Sequence, residues 1–316
     1  MTRFRLLQAS DLHLAVKPYQ WGLPDSWRDV LRGLCSPSLV SSQDPDLLTA
    51  FAAFAASVPP DGVDYDRAIL SGDEATTGRA ADLRFARAFI EASAGSPGLA
   101  GTPATLALVP GNHDRFGPAS GLNRPGNRNF DAVFGNYWGA APGGVQPLCA
   151  PIVKDGVRLV PLGADFTLRA RDLGNWQPFA WCGQGRAYPD VVATLRAASH
   201  QARQGPGRTL VVWVVHFIPF AASDWLQLLD AFNLLAAARD EKVLAVLCGH
   251  THKRSALLLD PRAPDVPFCL CGSTTQYHEP NGNFLNLIDI TLDSAEGAPA
   301  VSLHSFEYSS FSGQFE

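Results

Sequence analysis

Short runs of apolar residues alternate along this chain with longer segments in which apolar positions recur every three or four residues. The first pattern is typical of buried strands, and the second of helices that pack one face against a sheet. The predicted strands are residues 4–10, 67–70, 104–109, 158–162, 209–215 and 243–247. The predicted helices are residues 45–54, 80–93, 190–203 and 226–239. The order strand, helix, strand therefore indicates right-handed crossovers and a largely parallel sheet.

The C-terminal part of the chain shows a different pattern. Residues 268–272, 285–292 and 301–306 read as three strands with hairpin-like spacing. We expect them to extend a second sheet, with residues 266–316 completing that sheet inside a single domain of residues 1–316. Segment 15–44 is predicted to be irregular, and segment 115–151, which is rich in glycine, proline and asparagine, is predicted to be a loop with a short helix.

Composition limits the kinds of protein that the chain can be. A length of 316 residues with 46% hydrophobic residues is enough for a large core. A net charge of -5 gives no basic field of the kind that attracts nucleic acid, so such a partner is unlikely. No apolar run has membrane-spanning length, and the N-terminus does not resemble a signal peptide. The six cysteines lack zinc-type spacing, so we expect reduced thiols in a cytoplasmic protein.

Polar side chains of metal-ligand type follow five of the predicted strands. They are Asp11 and His13, then Asp73, then Asn112, His113 and Asp114, then His216, and finally His250 and His252. Strand ends of a parallel sheet meet at one edge, where α/β proteins bind ligands. One such histidine is usually a core residue, but five of the eight histidines at strand ends favour a metal site. Imidazole, carboxylate and amide ligands without thiolate suit Mn, Fe or Zn.

The order Asp-x-His, Gly-Asp, Gly-Asn-His-Asp, His and Gly-His-x-His resembles the calcineurin-like metallophosphoesterase family. The resemblance implies an α/β fold, a four-layer α/β/β/α sandwich of two mixed sheets flanked by helices. It also implies two metal ions, with Asp73 as the bridging ligand. The first ion would be held by Asp11, His13, Asp73 and His252, and the second by Asp73, Asn112, His216 and His250. His113 would then contact the phosphate or leaving group, and Asp114 would orient it.

Phosphate esters repel anionic nucleophiles, and two divalent ions about 3.5–4 Å apart overcome this by neutralising phosphoryl oxygens and lowering the pKa of a bridging water. We therefore expect a dinuclear hydrolase that cleaves a small phosphodiester, phosphomonoester or pyrophosphate by attack of a metal-bridging hydroxide. A nuclease of the same family is one alternative, and a non-catalytic scaffold on the same fold is another. The complete set of seven ligands argues against the scaffold. The sequence does not define the oligomeric state.

Two further features of the sequence are not part of this ligand pattern. Glu74 follows the bridging Asp73 where the family more often has an apolar residue, and we expect a solvated loop carboxylate there. An additional anion close to the metals is the alternative. Several tryptophans fall in predicted loops and are expected to pin those loops, with a substrate pocket as the alternative. They are Trp21, Trp27, Trp138, Trp176 and Trp181.

Overall fold

The structure is a computed structural model that describes most of the chain. The described residues are 1–16, 43–57, 62, 64–92, 97–115, 117–119, 122–124, 128–169, 172, 183–220, 226–276 and 281–316. Most of the predicted irregular segment 15–44 lies outside them. The same holds for Trp21, Trp27, Trp176 and Trp181.

Helices and strands are interspersed up to residue 240, and among the described residues only strands follow. The helices are α1 (Pro45–Ala56), α2 (Ala80–Glu91), α3 (Asn112–Arg115), α4 (Asn129–Phe134), α5 (Pro189–Arg203) and α6 (Ala231–Asp240). The strands up to residue 186 are β1 (Thr2–Ala9), β2 (Arg67–Leu70), β3 (Leu106–Leu108), β4 (Gly117–Ala119), β5 (Leu122–Arg124), β6 (Val145–Pro147), β7 (Ile152–Lys154), β8 (Val157–Ala164) and β9 (Gly185–Arg186). The later strands are β10 (Arg208–Val215), β11 (Leu228–Leu229), β12 (Ala245–Cys248), β13 (Ala256–Asp260), β14 (Ala263–Leu270), β15 (Phe284–Leu292), β16 (Ala300–Ser309) and β17 (Gln314–Phe315).

Two large mixed sheets form the centre of the fold. The first sheet has the order β17-β16-β15-β1-β2-β3, with β1, β2 and β3 parallel and β15 antiparallel to β1. The second sheet has the order β13-β14-β12-β10-β8-β6, and β7 also pairs with β8. Strands β8, β10, β12 and β14 are parallel. Both sheets therefore present a set of parallel strands whose carboxyl ends can carry a site.

The side chains of β10 show how the layers are arranged. Val212 and Val214 belong to the apolar cluster that includes Leu6 and Ile288 of the first sheet. Trp213 lies on the opposite face, in the cluster formed with α5 and α6. A strand covered on both faces is apolar at every position, as the sequence of β10 shows. Helices α1 and α2 contribute to the cluster of the first sheet, so the predicted α/β/β/α sandwich is confirmed.

The C-terminal strands differ from the prediction. Only β14 joins the second sheet, whereas β15 and β16 extend the first sheet from β1. The expectation that all three strands extend one second sheet was therefore wrong for two of them. Hairpin spacing reveals that β15 pairs with β16, but not which strand lies on the other side of β15. Buried backbone groups must be paired, and β15 supplies partners along β1 from Thr2 to Gln8.

Two smaller differences concern local elements. Helix α6 begins at Ala231, five residues later than predicted, because Leu228–Leu229 forms a short parallel pair with Gly185–Arg186. The segment after residue 115, predicted as a loop with a short helix, contains the helix α4 and also the strands β4, β5 and β6. Among the described residues, no helix combines the length and the apolar character needed to cross a bilayer.

Candidate metal centre

All seven predicted metal ligands lie one to four residues beyond the ends of strands of the two sheets. The first sheet supplies Asp11 and His13 after β1, Asp73 after β2 and Asn112 after β3. The second sheet supplies His216 after β10, and His250 and His252 after β12. Six of the seven are buried, and His252 is only partly exposed. The candidate centre therefore lies where the carboxyl ends of the parallel strands of both sheets meet.

Asp11, His13 and His252 form the first group of converging donors. The Nε2 atoms of His13 and His252 lie 3.1 Å apart. The Oδ1 atom of Asp11 lies 3.1 Å from Nε2 of His252 and 3.8 Å from Nε2 of His13. Three ligand atoms from two sheets thus face one small volume, and such a set of imidazoles and a carboxylate fits a divalent transition metal.

The second group is centred on Nε2 of His216. This atom lies 3.2 Å from Oδ2 of Asp73, 3.1 Å from Oδ1 of Asn112 and 3.1 Å from Nδ1 of His250. Oδ2 of Asp73 also lies 3.9 Å from Nε2 of His13, a member of the first group. One carboxylate oxygen therefore faces both groups of donors.

Asp11 and Asp73 each use one carboxylate oxygen to accept hydrogen bonds and direct the other oxygen at the centre. Oδ2 of Asp11 accepts hydrogen bonds from the hydroxyl of Ser10 at 2.6 Å and from the backbone N–H of His250 at 2.9 Å. Oδ1 of Asp73 accepts a hydrogen bond from the backbone N–H of His113 at 2.8 Å. Bonds of this kind orient metal ligands and tune their basicity. They leave Oδ1 of Asp11 and Oδ2 of Asp73 facing the centre.

The imidazoles of His216 and His250 are oriented by carbonyl oxygens. Nδ1 of His216 lies 2.9 Å from the carbonyl oxygen of Ser71, and Nε2 of His250 lies 2.6 Å from that of Gly183. A carbonyl oxygen only accepts, so these nitrogens carry the protons. Nε2 of His216 and Nδ1 of His250 are thereby turned toward the centre as the ligand atoms.

The backbone at the centre adopts a conformation that side-chain-bearing residues rarely take. Asp11, His13, Asp73, His250 and His252 have φ angles of 53°, 50°, 57°, 77° and 48°. Left-handed backbone in residues other than glycine is uncommon and clusters at functional sites. Aspartate and histidine adopt this conformation more often than most residues, but they do not signal it in a sequence as glycine does, so sequence reasoning missed this feature.

Two positions in the motifs require glycine, because other residues approach their backbone closely. A Cβ atom on Gly111 would lie 2.1 Å from Oδ1 of Asp73, and one on Gly249 would lie 1.8 Å from the hydroxyl oxygen of Ser10. Both distances are far below van der Waals contact. The glycines before Asn112 and His250 therefore allow the strand ends to come together.

The buried charges are strongly coupled. Burial acts to raise the pKa of the Asp73 carboxyl, but His216 and His113 outweigh it and keep this pKa below its usual range. Burial acts to lower the pKa of His216, but Asp73 outweighs it and raises this pKa to about 9. Burial and the charge of His216 lower the pKa of His250 to about 3. The oxygen and nitrogen acceptors around Nε2 of His216 therefore form a position that suits a cation.

His113 and Asp114 lie beside the centre in α3. Nδ1 of His113 lies 2.8 Å from the carbonyl oxygen of Thr76, and its ring centroid is 4.7 Å from that of His13. The ligand-type atoms of His13, Asp73 and His113 also lie within 4.8 Å of one another. Asp114 accepts hydrogen bonds from the backbone of Gly111, Ala75 and Glu74. The ring of His113 is thus held by Thr76, whereas Asp114 joins α3 to the segment after β2.

Glu74 is fully buried, so the expectation of a solvated loop carboxylate was wrong. The segment after β2 is not a free loop, because the backbone N–H of Leu14 donates to the carbonyl oxygen of Glu74 at 3.0 Å. The carboxyl group of Glu74 lies against that of Asp114, which is also fully buried. Burial and the neighbouring Asp114 raise the pKa of Glu74 well above its usual range.

Trp138 is also fully buried and packs in the core, as expected of a residue that pins a loop.

The sequence matches the model of the calcineurin-like phosphoesterase family over residues 4–254. The chain belongs to this family, which comprises metal-dependent phosphoesterases and some non-catalytic relatives and generally binds two divalent metals. No curated protein matches the sequence.

Several solved structures share the fold. A dimetal phosphatase from Danio rerio has a TM-score of 0.52 and 12% identity, covering 97% of this chain and 99% of its own. A 5'-nucleotidase precursor from Thermus thermophilus has a TM-score of 0.50 and 14% identity, over 97% of this chain and 54% of its own. GAP50 of Plasmodium, described as the anchor in the inner membrane complex, has a TM-score of 0.51 and 10% identity, over 97% and 85%. At these identities the likeness shows the fold alone.

Proposed function

We propose that this protein is a dinuclear metal-dependent hydrolase of small phosphate esters. The observation that carries the proposal is the position of Asp73, whose Oδ2 lies 3.2 Å from Nε2 of His216 and 3.9 Å from Nε2 of His13. One oxygen shared by two groups of donors is what two neighbouring cations require. The donor chemistry, with imidazole, carboxylate and amide oxygen, fits Mn, Fe or Zn.

The proposed ligand sets follow the two groups of donors. Asp11, His13, Asp73 and His252 would hold one ion, and Asp73, Asn112, His216 and His250 the other. Bound there, the ions would supply a water of lowered pKa as the nucleophile and would neutralise the phosphoryl oxygens. The bonds from Ser10 to Asp11 and from His250 to Gly183 keep the ligand atoms aimed at the centre.

His113 is proposed as the residue that assists the leaving group. Its Nδ1 proton is committed to the carbonyl oxygen of Thr76, so Nε2 is the nitrogen that remains for the substrate. In the imidazolium form, the proton on Nε2 would pass to the leaving oxygen. Asp114 would support this role through the backbone of α3, since its carboxylate accepts from Gly111 and Ala75. We propose it as a positioning residue.

The substrate is proposed to be a small phosphomonoester, phosphodiester or pyrophosphate. The net charge of -5 disfavours a nucleic acid substrate, which is the nuclease alternative. A non-catalytic scaffold is the other alternative, and GAP50 of Plasmodium, which shares the fold, is an anchor in the inner membrane complex. The convergence of all seven ligand-type side chains favours the enzyme, because a scaffold has no need of them.

A hydrolysis panel tests the proposal. Protein stripped with chelator and reloaded with Mn²⁺ is offered nitrophenyl phosphate, bis-nitrophenyl phosphate, a cyclic nucleotide, a nucleoside diphosphate ester and single-stranded DNA. Turnover of a small ester that requires Mn²⁺ and is lost in Asp73→Asn supports the proposal. Turnover confined to DNA would establish the nuclease. Binding of Mn²⁺ without hydrolysis of any member would favour the scaffold.

A further inference from the structure

Gln8 lies fully buried at the contact between the two sheets. It belongs to β1 of the first sheet, yet its side-chain Nε2 lies 3.1 Å from the carbonyl oxygen of Cys248 and 3.2 Å from that of Cys269. These carbonyls belong to β12 and β14 of the second sheet. A single amide of one sheet thus donates to two neighbouring strands of the other.

The same amide touches strand ends that carry the donors of the candidate centre. Cys248 comes two residues before His250, and Gln8 itself comes three residues before Asp11. Nε2 of Gln8 also lies 3.3 Å from the hydroxyl oxygen of Ser71, two residues before Asp73. Gln8 therefore connects strands β1, β2 and β12 just below the points where each presents a donor.

Asn286 holds the amide of Gln8 in its orientation. It stands opposite Gln8 in the pairing of β1 with β15. Its Nδ2 donates to Oε1 of Gln8 at 3.1 Å and to the carbonyl oxygen of Leu270 at 3.1 Å. Since Oε1 of Gln8 is the acceptor in this bond, its Nε2 is directed at the second sheet. Asn286 adds a bond of its own across the same contact.

The bonds of Gln8 and Asn286 constrain the sheets in a way that the apolar side chains around them do not. The attraction between those apolar side chains is not directional and tolerates small sliding movements. Burying an amide costs free energy unless it is hydrogen-bonded, and a satisfied buried network specifies one arrangement. An apolar residue at this position would only fill the space, whereas the hydrogen-bonded glutamine also defines the alignment of the strands.

We propose that Gln8 is a positioning residue that aligns the two sheets at the metal centre. Together with the bond from the backbone N–H of His250 to Asp11, it sets the distance between the donors of the first sheet, Asp11 and Asp73, and those of the second, His250 and His252. The inference rests on the proposed metal centre. It adds a residue that contacts neither metal nor substrate and acts through the strands that carry the ligands.

Gln8→Leu tests the inference, because leucine fills a similar volume without the amide. The variant should fold, since the carbonyl oxygen of Cys248 also accepts from the backbone N–H of Cys271 at 2.8 Å. Isothermal titration of chelator-stripped protein with Mn²⁺ should show affinity lowered by about 10–100-fold. The exchange-coupled EPR signal of the doubly loaded protein should also change, because it depends on the separation of the two ions.

A double variant separates positioning from general destabilisation. Gln8→Leu leaves the amide of Asn286 with one acceptor fewer, and Gln8→Leu with Asn286→Leu removes both buried amides, which should recover stability. Positioning predicts that the affinity for Mn²⁺ stays low in this double variant. Ser199→Ala is the matched control, because it removes a buried 2.9 Å bond to Nε1 of Trp213 on the far face of the second sheet. It should bind Mn²⁺ like the wild type.

Three results would overturn the inference. Wild-type affinity and an unchanged EPR signal in Gln8→Leu would show that the amide does not align the centre. Recovery of affinity together with stability in the double variant would reduce Gln8 to a structural residue. A wild-type protein that binds no metal would overturn both this inference and the proposed function, whereas the first two results leave the proposed function intact.

Discussion

Oδ1 of Asp73 accepts a hydrogen bond from the backbone N–H of His113 at 2.8 Å. Only Oδ2 is therefore left to face the histidines of both donor groups. An asparagine cannot meet both demands. If its oxygen accepts from His113, its NH₂ group points at the cations, and if the amide flips, the NH₂ group opposes the N–H of His113. Asp73→Asn should therefore bind far less than the two ions expected of the wild type and lose more than about 100-fold in activity. Elemental analysis after saturation with Mn²⁺ and gel filtration checks the metal content.

The neighbouring carboxyl provides the control for this experiment. Glu74 is buried against Asp114, and burial together with Asp114 raises its pKa well above the usual range. A neutral carboxyl is close to an amide in shape and charge. Glu74→Gln should therefore keep the metal content of the wild type. Equal loss of metal in both variants would mean that any change in this segment disrupts the centre, and would remove the support for a bridging Asp73.

A second prediction concerns the stability of the segment that carries Asn112 and His113. The guanidinium group of Arg115 is fully buried between Asp165 at 2.9 Å and Asp131 at 2.6 Å. Replacing it with methionine leaves Asp165 as a buried carboxylate without its cation, which costs about 3–5 kcal/mol. Urea unfolding of chelator-treated Arg115→Met should show this loss in the free energy of unfolding, independent of metal binding.

Arg239→Met is the control for Arg115. Arg239 pairs with Asp240, but its side chain is 54% exposed and that of Asp240 is 41% exposed. Surface pairs of this kind contribute about 0.2–1 kcal/mol. If the two variants unfolded at the same urea concentration, the buried pair of Arg115 and Asp165 would not stabilise the fold as the structure indicates.

The third prediction concerns the reactivity of three thiols that lie in or directly after β12 and β14. Cys248, Cys269 and Cys271 are fully buried. Burial raises the pKa of Cys269 to about 12 and keeps the pKa values of the other two above their usual range. The thiolate is the reactive form, so at pH 8 these thiols stay protonated and shielded. Peptide mapping should find them unmodified after iodoacetamide treatment of native protein and modified after denaturation. Rapid native modification of any of the three would contradict the packing around Gln8.

Structural features that depend on residues close together in the chain can be predicted from the sequence. The apolar run 209–215 predicts β10 because a strand covered on both faces is apolar throughout, and its end correctly places His216 at the edge of the sheet. The placement of Asp73 directly after β2 follows from the same kind of local pattern. Such features depend on residues that are neighbours in the sequence.

Features that depend on distant segments could not be predicted in this way. Glu74 looks like a loop residue until Leu14 is known to bond to it. The place of β15 beside β1 depends on a strand more than 250 residues away. Gln8 reads as an ordinary polar residue in a strand, and only the second sheet gives its amide a role. Each of these became visible when two remote parts of the chain were brought into contact.

The last prediction separates metal binding from proton transfer at His113. Its Nδ1 is bound to the carbonyl oxygen of Thr76 at 2.8 Å, and in the proposed ligand sets its Nε2 is left for the substrate. However, Nε2 shares its neighbourhood with His13 and Asp73, so an experiment must distinguish a ligand from a proton donor. His113→Ala should retain the metal content of the wild type and lose about 10²–10⁴-fold in turnover.

The size of that loss should depend on the leaving group. A nitrophenolate leaves without a proton, whereas an alkoxide such as a ribose oxygen needs one, so kcat of His113→Ala should fall far more on an alkyl phosphate than on a nitrophenyl phosphate. Measuring kcat for both substrates, with metal content determined on the same samples, gives the result. Equal losses on the two substrates would indicate that His113 binds the phosphate and does not protonate the leaving oxygen. Loss of metal in the variant would make His113 a ligand, and the proposed ligand sets would then have to be redrawn around His13, Asp73 and His113.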